Sequence, residues 1–438
     1  MNTTETIKEK IAPEEIVAWV GLDWADNEHK ISMCDVATGQ AEDSVLKHSS
    51  ESLQQWLAQL RKRYEGKKVA VILEQSRGGL LYALMSCDFI VLYPVNPQSL
   101  ASYRKALYPS GAKDDPVDAA LLREMVQKNP RRFRQWIPDD PDTRSLKLLA
   151  EGRRNLVKQM TRLTNQLTSQ LKTFYPQALE WAGELNSVQA CDFLREWPTL
   201  QAVQQARPAR LRKFYLRYGR PRTETINKRI GQIKEATPLT TDPAAVLAGS
   251  TMVRSIAMQI RPLIAAIENY DDEIKRLFQQ HPDRLIFESL PGAGAVFAPR
   301  LLAAFGADRE RWTSAAEIQK LSGIAPVTER SGKQRVVHWR LGCPKFVRQT
   351  FHEFAGSSIQ WCNWAKAYYQ HMRDRGEQHH TAVRALAYKW IRILFACWKT
   401  RTPYDNELFL EALAKRGSPL SARAAAVIEA GRAKAHMA

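Results

Sequence analysis

The sequence predicts a mixed α/β unit followed by a mainly helical remainder, and three observations carry that prediction. Between residues 16 and 96 there are five short runs of β-branched and apolar residues, three in succession and two more separated by helical patterns. From Asp142 onward the apolar residues recur every three or four positions instead. The charge divides at nearly the same place. Residues 1–120 hold 13 Lys and Arg against 17 Asp and Glu, a net of −4, and the rest of the chain carries +22.

The elements follow in order. IVAWVGLDWA (16–25) reads as a buried strand, KISMCDVA (30–37) as a second, and a third lies around 41–48 after the Thr38-Gly39 turn. Ser50 or Ser52 can cap a helix to about Tyr64, with Leu53, Trp56, Leu57 and Leu60 on one face. KKVAVILE (67–74) is a strand, 78–87 a helix and FIVLYPVN (89–96) another strand. Helices follow from Pro97 to Leu107 and over 115–127, the latter with Asp115 at the N-cap and Pro116 at the first helical position. This βββ-α-β-α-β-α-α order is that of the RNase H-like fold.

Over 142–175, Leu156, Met160, Leu163, Leu167, Leu171 and Phe174 step by three and four residues, close to a heptad seam. The seam fits either a coiled-coil arm or a core helix of a bundle. TPLTTDP (237–243) reads as a linker, and a second long helix over 244–280 returns the chain antiparallel to the first. The expected division is 1–141, 142–284, 285–410 and a peripheral tail 411–438.

Composition excludes several classes. The 438 residues are 44% hydrophobic and 25% charged, which is an ordinary globular balance. No run approaches the roughly 20 apolar residues that span a bilayer, and the first 13 residues lack a signal-peptide core. The six cysteines are scattered and form no C-x-x-C. The expectation is a protein of a reducing cytoplasm without a membrane partner. A net charge of +18 favours a polyanionic partner.

Four carboxylates fall at element ends: Asp23 after the first strand, Glu74 after the fourth, and Asp115 and Asp118 at the start of a helix, three residues apart and so on one face. Adjacent first and fourth strands would bring them together. Clustered carboxylates repel unless a cation neutralises them, and oxygen-only donors suit Mg²⁺ or Mn²⁺. Two such ions can support phosphodiester chemistry. Taken singly, Asp23 could be a strand-end cap and Asp115 an N-cap. Asp114 is the main rival ligand.

The densest basic stretch, 207–229, contains Arg207, Arg210, Arg212, Lys213, Arg217, Arg220 and Arg222, interleaved with Phe214, Tyr215 and Tyr218. Arginines there can neutralise phosphates and the aromatics can stack on unpaired bases; the other reading is a solvated helix with its aromatics packed inward. ESLPGAGAVFAPRLLAAFG (288–306) has the form of a helix-hairpin-helix, with Gly292 and Gly294 in a turn that offers backbone N–H groups to a phosphate. Ser331 stands in a loop with Arg330, Lys333 and Arg335, cations able to hold a phosphate beside its hydroxyl. By itself Ser-Gly is a turn signal. A nucleophilic serine needs a base or a metal, and His338 is the only local base.

Together, VGLDWA (20–25), VILEQS (71–76), AKDDPVDAALL (112–122), LPGAGAVFAPRLLAAFG (290–306), LSGIAPVTERSGKQR (321–335), RLGCPKFVRQTF (340–351) and HHTAVRALAYKW (379–390) resemble the DEDD transposases of bacterial insertion sequences, described as bridge-RNA-guided recombinases. The resemblance implies that Asp23, Glu74, Asp115 and Asp118 form the acidic tetrad of a RuvC-like domain. It implies that Ser331 is a nucleophile forming a phosphoserine with DNA. It further implies a structured noncoding RNA that pairs with target and donor DNA, and a homo-oligomer, dimer or tetramer, whose domains complete active sites between subunits. Lys333 replaces the second glycine common after the serine, and Arg340-Leu341-Gly342-Cys343-Pro344 replaces a basic-Gly-Asn run, which points to a distinct subgroup. Absence of a G-x-x-x-x-G-K-[ST] run agrees with strand exchange that needs no ATP. The alternative expectation is a metal-dependent nuclease or junction resolvase that uses water, with Ser331 a turn residue.

Overall fold

The computed structural model describes residues 10–74, 78–108, 115–219, 222–332 and 334–436. They form two compact units, each built from two chain segments: Met1–Arg144 with Glu310–Arg348, and Ser145–Arg309 with Gln349–Ala438.

The first unit is centred on a five-stranded mixed sheet. β1 (Ile16–Asp23), β2 (Glu28–Asp35) and β3 (Ala41–Lys47) form an antiparallel meander. β4 (Lys68–Leu73) then pairs parallel with β1, and β5 (Ile90–Pro94) parallel with β4, giving the order β3-β2-β1-β4-β5. Period-two alternation splits the apolar residues between two faces. Ala18, Val20, Leu22, Val69 and Val71 face a core shared with Leu60 of α1 (Ser50–Arg63) and with Leu81 and Leu84 of α2 (Gly79–Met85). Trp19, Ala70, Ile72 and Val91 face the other way. There they meet Leu100 of α3 (Pro97–Leu107) and Leu121, Leu122 and Met125 of α4 (Asp115–Lys128). A register shift between Ile16 and Ala18 puts Ile16 on the same face as Trp19. The cap of α1 is Ser49, one residue ahead of Ser50 and three ahead of Ser52; its side chain accepts from the Ser52 N–H at 3.1 Å.

Gly21 fixes how α4 lies on the sheet. A Cβ there would stand 1.9 Å from the Ala119 carbonyl oxygen and 2.8 Å from the Arg123 nitrogen. Backbone meets backbone, so no side chain can move aside to make room.

The second unit begins with α5 (Pro141–Phe174), continues through the shorter α6 (Ala178–Trp181), α7 (Val188–Glu196), α8 (Leu200–Gln205), α9 (Pro208–Arg217) and α10 (Thr223–Glu235), and returns along α11 (Pro243–Gln280). The two long helices are antiparallel. Gly152, early in α5, meets the Tyr270 ring late in α11, and Gly249, early in α11, meets the Phe174 ring at the end of α5. The seam residues Met160, Leu167, Leu171 and Phe174 are buried in one core with Phe193, Leu194, Leu211, Phe214 and Ile256. The near-heptad spacing thus serves an intrachain bundle, because α6–α10 supply the apolar surface that a second chain would otherwise provide.

After α12 (Arg284–Glu288) and α13 (Gly294–Phe305) the chain rejoins the first unit as α14 (Ala315–Leu321) and an antiparallel hairpin of β6 (Val327–Ser331) and β7 (Gln334–His338). This segment is tied to the sheet's unit at two places. Arg311 donates to Asp139 Oδ2 at 2.6 Å and to the Ile137 carbonyl at 3.1 Å, and Arg134 lies over the Trp312 ring. At the other end a Cβ on Gly342 would stand 2.8 Å from Gln98 Oε1. The expected 285–410 segment is therefore shared between the two units.

α15 (Lys345–Trp361), α16 (Asn363–Asp374), α17 (His379–Thr400), α18 (Asn406–Lys415) and α19 (Pro419–His436) complete the chain. Trp364, Trp390 and Trp398 are fully buried, and each indole N–H is matched, to Tyr404 Oη, Ser358 Oγ and the Gly306 carbonyl. The expected peripheral tail is helical, with Leu420 and Ala424 buried. All six cysteines are free, and burial pushes the Cys191, Cys362 and Cys397 thiols up to about 11. Among the described residues no helix is long and apolar enough to cross a membrane.

Two predictions follow from the packing. Gly21→Ala forces α4 off β1 and lowers the unfolding free energy by about 2 kcal/mol or more, an overpacking cost; chemical denaturation measures it, and an unchanged midpoint would refute the close approach. In the second unit, Glu353 bridges Arg154 at 2.7 Å and Arg300 at 2.9 Å. Burial pushes the Glu353 carboxyl up, but the two guanidinium groups outweigh it and hold it below its usual 4.5. A depressed carboxylate contributes stability above its unfolded pKa and loses it as pH falls below. Glu353→Gln therefore costs about 2 kcal/mol at pH 7, discounted because the side chain is 38% exposed. The deficit should shrink below pH 4.5.

Candidate active site

Asp23 closes β1 and Glu74 directly follows β4. The parallel register pairs Leu22 with Leu73, so the two carboxylates come next on neighbouring strands. Leu22 and Leu73 face the α1–α2 core, so alternation turns the following residue of each strand toward the α4 side. The Gly21–Ala119 contact brings the first turns of α4 to that same end. Asp118 sits there, 2% exposed. Arg104 of α3 grips it with a two-pronged contact, Nε donating to Oδ1 at 2.6 Å and a terminal nitrogen donating to Oδ2. An ionised carboxylate tolerates such burial because the guanidinium supplies both charge and matched donors.

The helix begins at Asp115, whose side chain lies outside the described residues, as does Asp114. Among the described residues no three His, Cys, Asp or Glu side chains gather into a metal-binding group. Asp23, Glu74 and Asp118 bring carboxylate oxygens to this end of the sheet, donors of the kind that suits a hard divalent cation. Asp26 and Glu28 are exposed in the turn beyond Asp23. That turn is held by His29, which is 1% exposed: its Nδ1 accepts from the Ala25 N–H at 3.3 Å and its Nε2 lies 3.0 Å from His48 Nδ1. Burial first, and then His48, push the His29 pKa down.

Ser331 ends β6 at the tip of the exposed hairpin, paired with Gln334. Gly332 takes φ +55°, the left-handed conformation that tight hairpin turns require. Arg330 is exposed and pairs across with Arg335. Lys333 and the Arg335 side chain lie outside the described residues. His338 is at the far end of the hairpin, paired with Val327 and 3.4 Å from Glu329. It does not meet Ser331, so the only local base expected from sequence is too distant to act as one.

The basic stretch divides by helix face. Phe214 and Tyr215 are buried, and Tyr218 packs on the same core with its hydroxyl bonded to Asp192. The aromatics hence do not offer themselves for base stacking, because the α9 periodicity turns them inward. The cations stay outside. Arg207, Lys213, Arg217 and Arg222 are exposed, Arg210 pairs with Glu196 at 2.6 Å, and Arg212 donates to Asn227 Oδ1 at 2.8 Å. Arg220 lies outside the described residues. In the glycine hairpin, Gly292 (φ +78°) is packed against α15, its carbonyl accepting from Ser357 Oγ at 2.9 Å and its absent Cβ filled by Trp361 and Ser357. Gly294 (φ +50°) is exposed with nothing near it, at the start of α13.

Sequence reasoning missed Gly21, Arg104 and the Arg311–Asp139 tie. A glycine inside an otherwise β-branched strand is a readable signal of close backbone approach. Nothing in the sequence distinguishes Arg104 or Arg311 from their basic neighbours. Arg104→Met strands a buried carboxylate and is expected to lower stability by about 3 kcal/mol, with Asp118→Asn in the same chain restoring part of it. A double-mutant cycle by denaturant titration checks this; purely additive losses would exclude the coupling.

Two family models match the chain. A DEDD transposase model for IS110 elements covers residues 20–176, and a model for transposases of the IS116/IS110/IS902 family covers 284–370. The first spans Asp23, Glu74, Asp115 and Asp118, and the second spans Ser331. Curated relatives match nearly end to end. The mini-circle transposase assigned to IS117 of Streptomyces coelicolor is 26% identical over 90% of this chain and 97% of its own length. An uncharacterised protein of insertion element IS110 from the same organism is 24% identical over 90% and 97%. One from IS900 of Mycobacterium paratuberculosis is 24% identical over 88% and 96%. This chain belongs to the IS116/IS110/IS902 family of insertion-element transposases.

Proposed function

We propose that this chain cuts and rejoins DNA at the ends of an insertion sequence and at its target, through a covalent phosphoserine at Ser331. Asp23, Glu74, Asp115 and Asp118 act with it as holders of a divalent metal. The observation that supports this most is that the exposed Ser331 hairpin and the acidic ends of β1 and β4 belong to one compact unit. The strand order β3-β2-β1-β4-β5, with carboxylates after the first and fourth strands, suits an RNase H-like, RuvC-like domain.

Ser331 Oγ attacks the scissile phosphorus in line. An Oγ–P bond forms as the bond to a deoxyribose oxygen breaks. The phosphodiester energy is kept in the new bond, so a hydroxyl on another strand can reverse the attack without ATP. The exposed Arg330, with Lys333 and Arg335 beside it in sequence, offers positive charge to the phosphoryl oxygens. Arg104 holds both oxygens of the Asp118 carboxylate and fixes its direction. Mg²⁺ or Mn²⁺, when bound by the carboxylates, supplies charge stabilisation for the developing oxyanion. Since His338 lies at the opposite end of the hairpin, the serine depends on groups beyond its own strands for activation.

The remaining parts fit a nucleic-acid machine. The exposed arginines of α9 and its flanks suit backbone contact with DNA or a noncoding bridge RNA, and the turn before α13 suits a phosphate at a helix-hairpin-helix. Assembly as a dimer or tetramer would let subunits share sites. The place of action is the bacterial cytoplasm, at the nucleoid.

The test expresses the gene with its native flanking DNA and isolates the protein under denaturing conditions. Wild type is expected to carry covalent DNA, and Ser331→Ala, Glu74→Gln and Asp115→Asn to lose it, with recombination reduced at least 10³-fold, an order-of-magnitude expectation for deletion of a nucleophile. Metal-dependent nicking that survives Ser331→Ala without an adduct would replace this mechanism with a water-using nuclease.

A further inference from the structure

We infer that the first unit carries a binding groove for unpaired nucleotides, running from the end of the sheet to the base of the Ser331 hairpin. The inference rests on the strand-transfer reading only for its biological purpose; the groove itself stands on its lining.

The groove has a volume of about 870 Å³ and lies between α3, the chain after α4, and the base of the hairpin. Its aromatic groups are Trp339 and the half-buried Tyr103 and Phe133, which pack against the α3–α4 core with one side, and its cations are Arg132 and Arg340. Amide and hydroxyl groups such as Asn96 and Gln98 complete it. None of the described lining residues is acidic, in a chain with 46 Asp and Glu. Flat apolar faces beside guanidinium groups, with neutral donors and acceptors between them, are what single-stranded nucleic acid needs. Aromatics stack on bases, arginines neutralise phosphates, and amides reach base edges. The volume is that of a ligand cleft, with room for a few nucleotides.

The position agrees. Asn96 and Gln98 follow β5, so the groove opens at the same carboxyl ends of parallel strands where Asp23 and Glu74 stand. Arg104, which grips Asp118, lies on the same helix as Tyr103. Val327 and Trp339 flank the foot of the hairpin, and Ser331 is four strand residues beyond Val327, about 13 Å at 3.3 Å per residue. Trp339 is 54% exposed. Arg340 is held toward the body by its contact with the Ala325 carbonyl, and Gly342 comes close to the Gln98 side chain. A strand lying here has its bases stacked in the groove and its backbone led toward the serine and the acidic end together.

The test uses the full chain with single-stranded oligo-dT and oligo-U, each carrying one photoreactive 4-thio base, and a duplex of equal length. Cross-links are mapped by mass spectrometry and affinities are read by anisotropy. Cross-links to Tyr103, Phe133 or Trp339 are expected. Trp339→Ala with Arg132→Ala should weaken single-strand binding about tenfold or more, leave the duplex within about twofold, and be partly rescued by Trp339→Phe. Stronger binding of dT or of U tells whether the occupant is displaced DNA or RNA. Cross-links confined elsewhere with unchanged affinity, or equal losses for single strand and duplex, would overturn the groove. If the adduct test fails while the groove cross-links remain, the serine mechanism falls and the groove stands.

Discussion

The acidic end of this molecule depends on a place where there is no room for a side chain. At Gly21 the backbone of α4 touches the backbone of β1, and one added carbon would sit inside the Ala119 carbonyl. That contact sets both the height of α4 over the sheet and its rotation. Asp118, next to Ala119, thereby reaches the level at which β1 and β4 end in Asp23 and Glu74. A helix held by apolar packing alone could slide by part of a turn, since side chains adapt. A backbone contact between Gly21 and Ala119 leaves it no such freedom.

Charge then has to be managed inside that geometry. Asp118 is nearly inaccessible, and a lone carboxylate there would shift to its neutral form or unfold its surroundings. Arg104 solves this with a two-pronged contact from the neighbouring helix. The same device recurs in the second unit, where Glu353 is shared by Arg154 and Arg300, and in the first, where Arg311 ties residues 310–348 to Asp139. A strongly basic chain thus spends some of its arginines as internal struts. Other cations, among them Lys213 and Arg217 of α9 and Arg330 beside Ser331, are exposed, where they can meet a polyanion.

The division of the chain follows from these ties more than from sequence order. Residues 310–348 return to the sheet because Arg311, Trp312 and Gly342 find partners there. In consequence the serine hairpin and the carboxylates share one compact unit although some 210 residues separate Asp118 from Ser331 in the sequence.

The sequence by itself determined the elements. Strand alternation placed β1 to β5 to within two residues, Pro and Asn or Ser marked helix starts, and apolar spacing located the long helices, because these patterns report local periodicity. It also singled out Asp23, Glu74 and Asp118 as carboxylates at element ends, since residue type and position are visible in a linear string, whereas Ser331 on its own read as a turn residue and drew attention only through the family resemblance. Only the tertiary structure decided what each faces. The 156–174 seam lies in a bundle core, Phe214 and Tyr215 point inward, Gly292 is filled by Trp361, and His338 is out of reach of Ser331. Those outcomes turn on contacts between residues far apart in sequence. A side chain's partner is fixed by which surfaces the whole chain must bury, and local pattern carries no record of that choice.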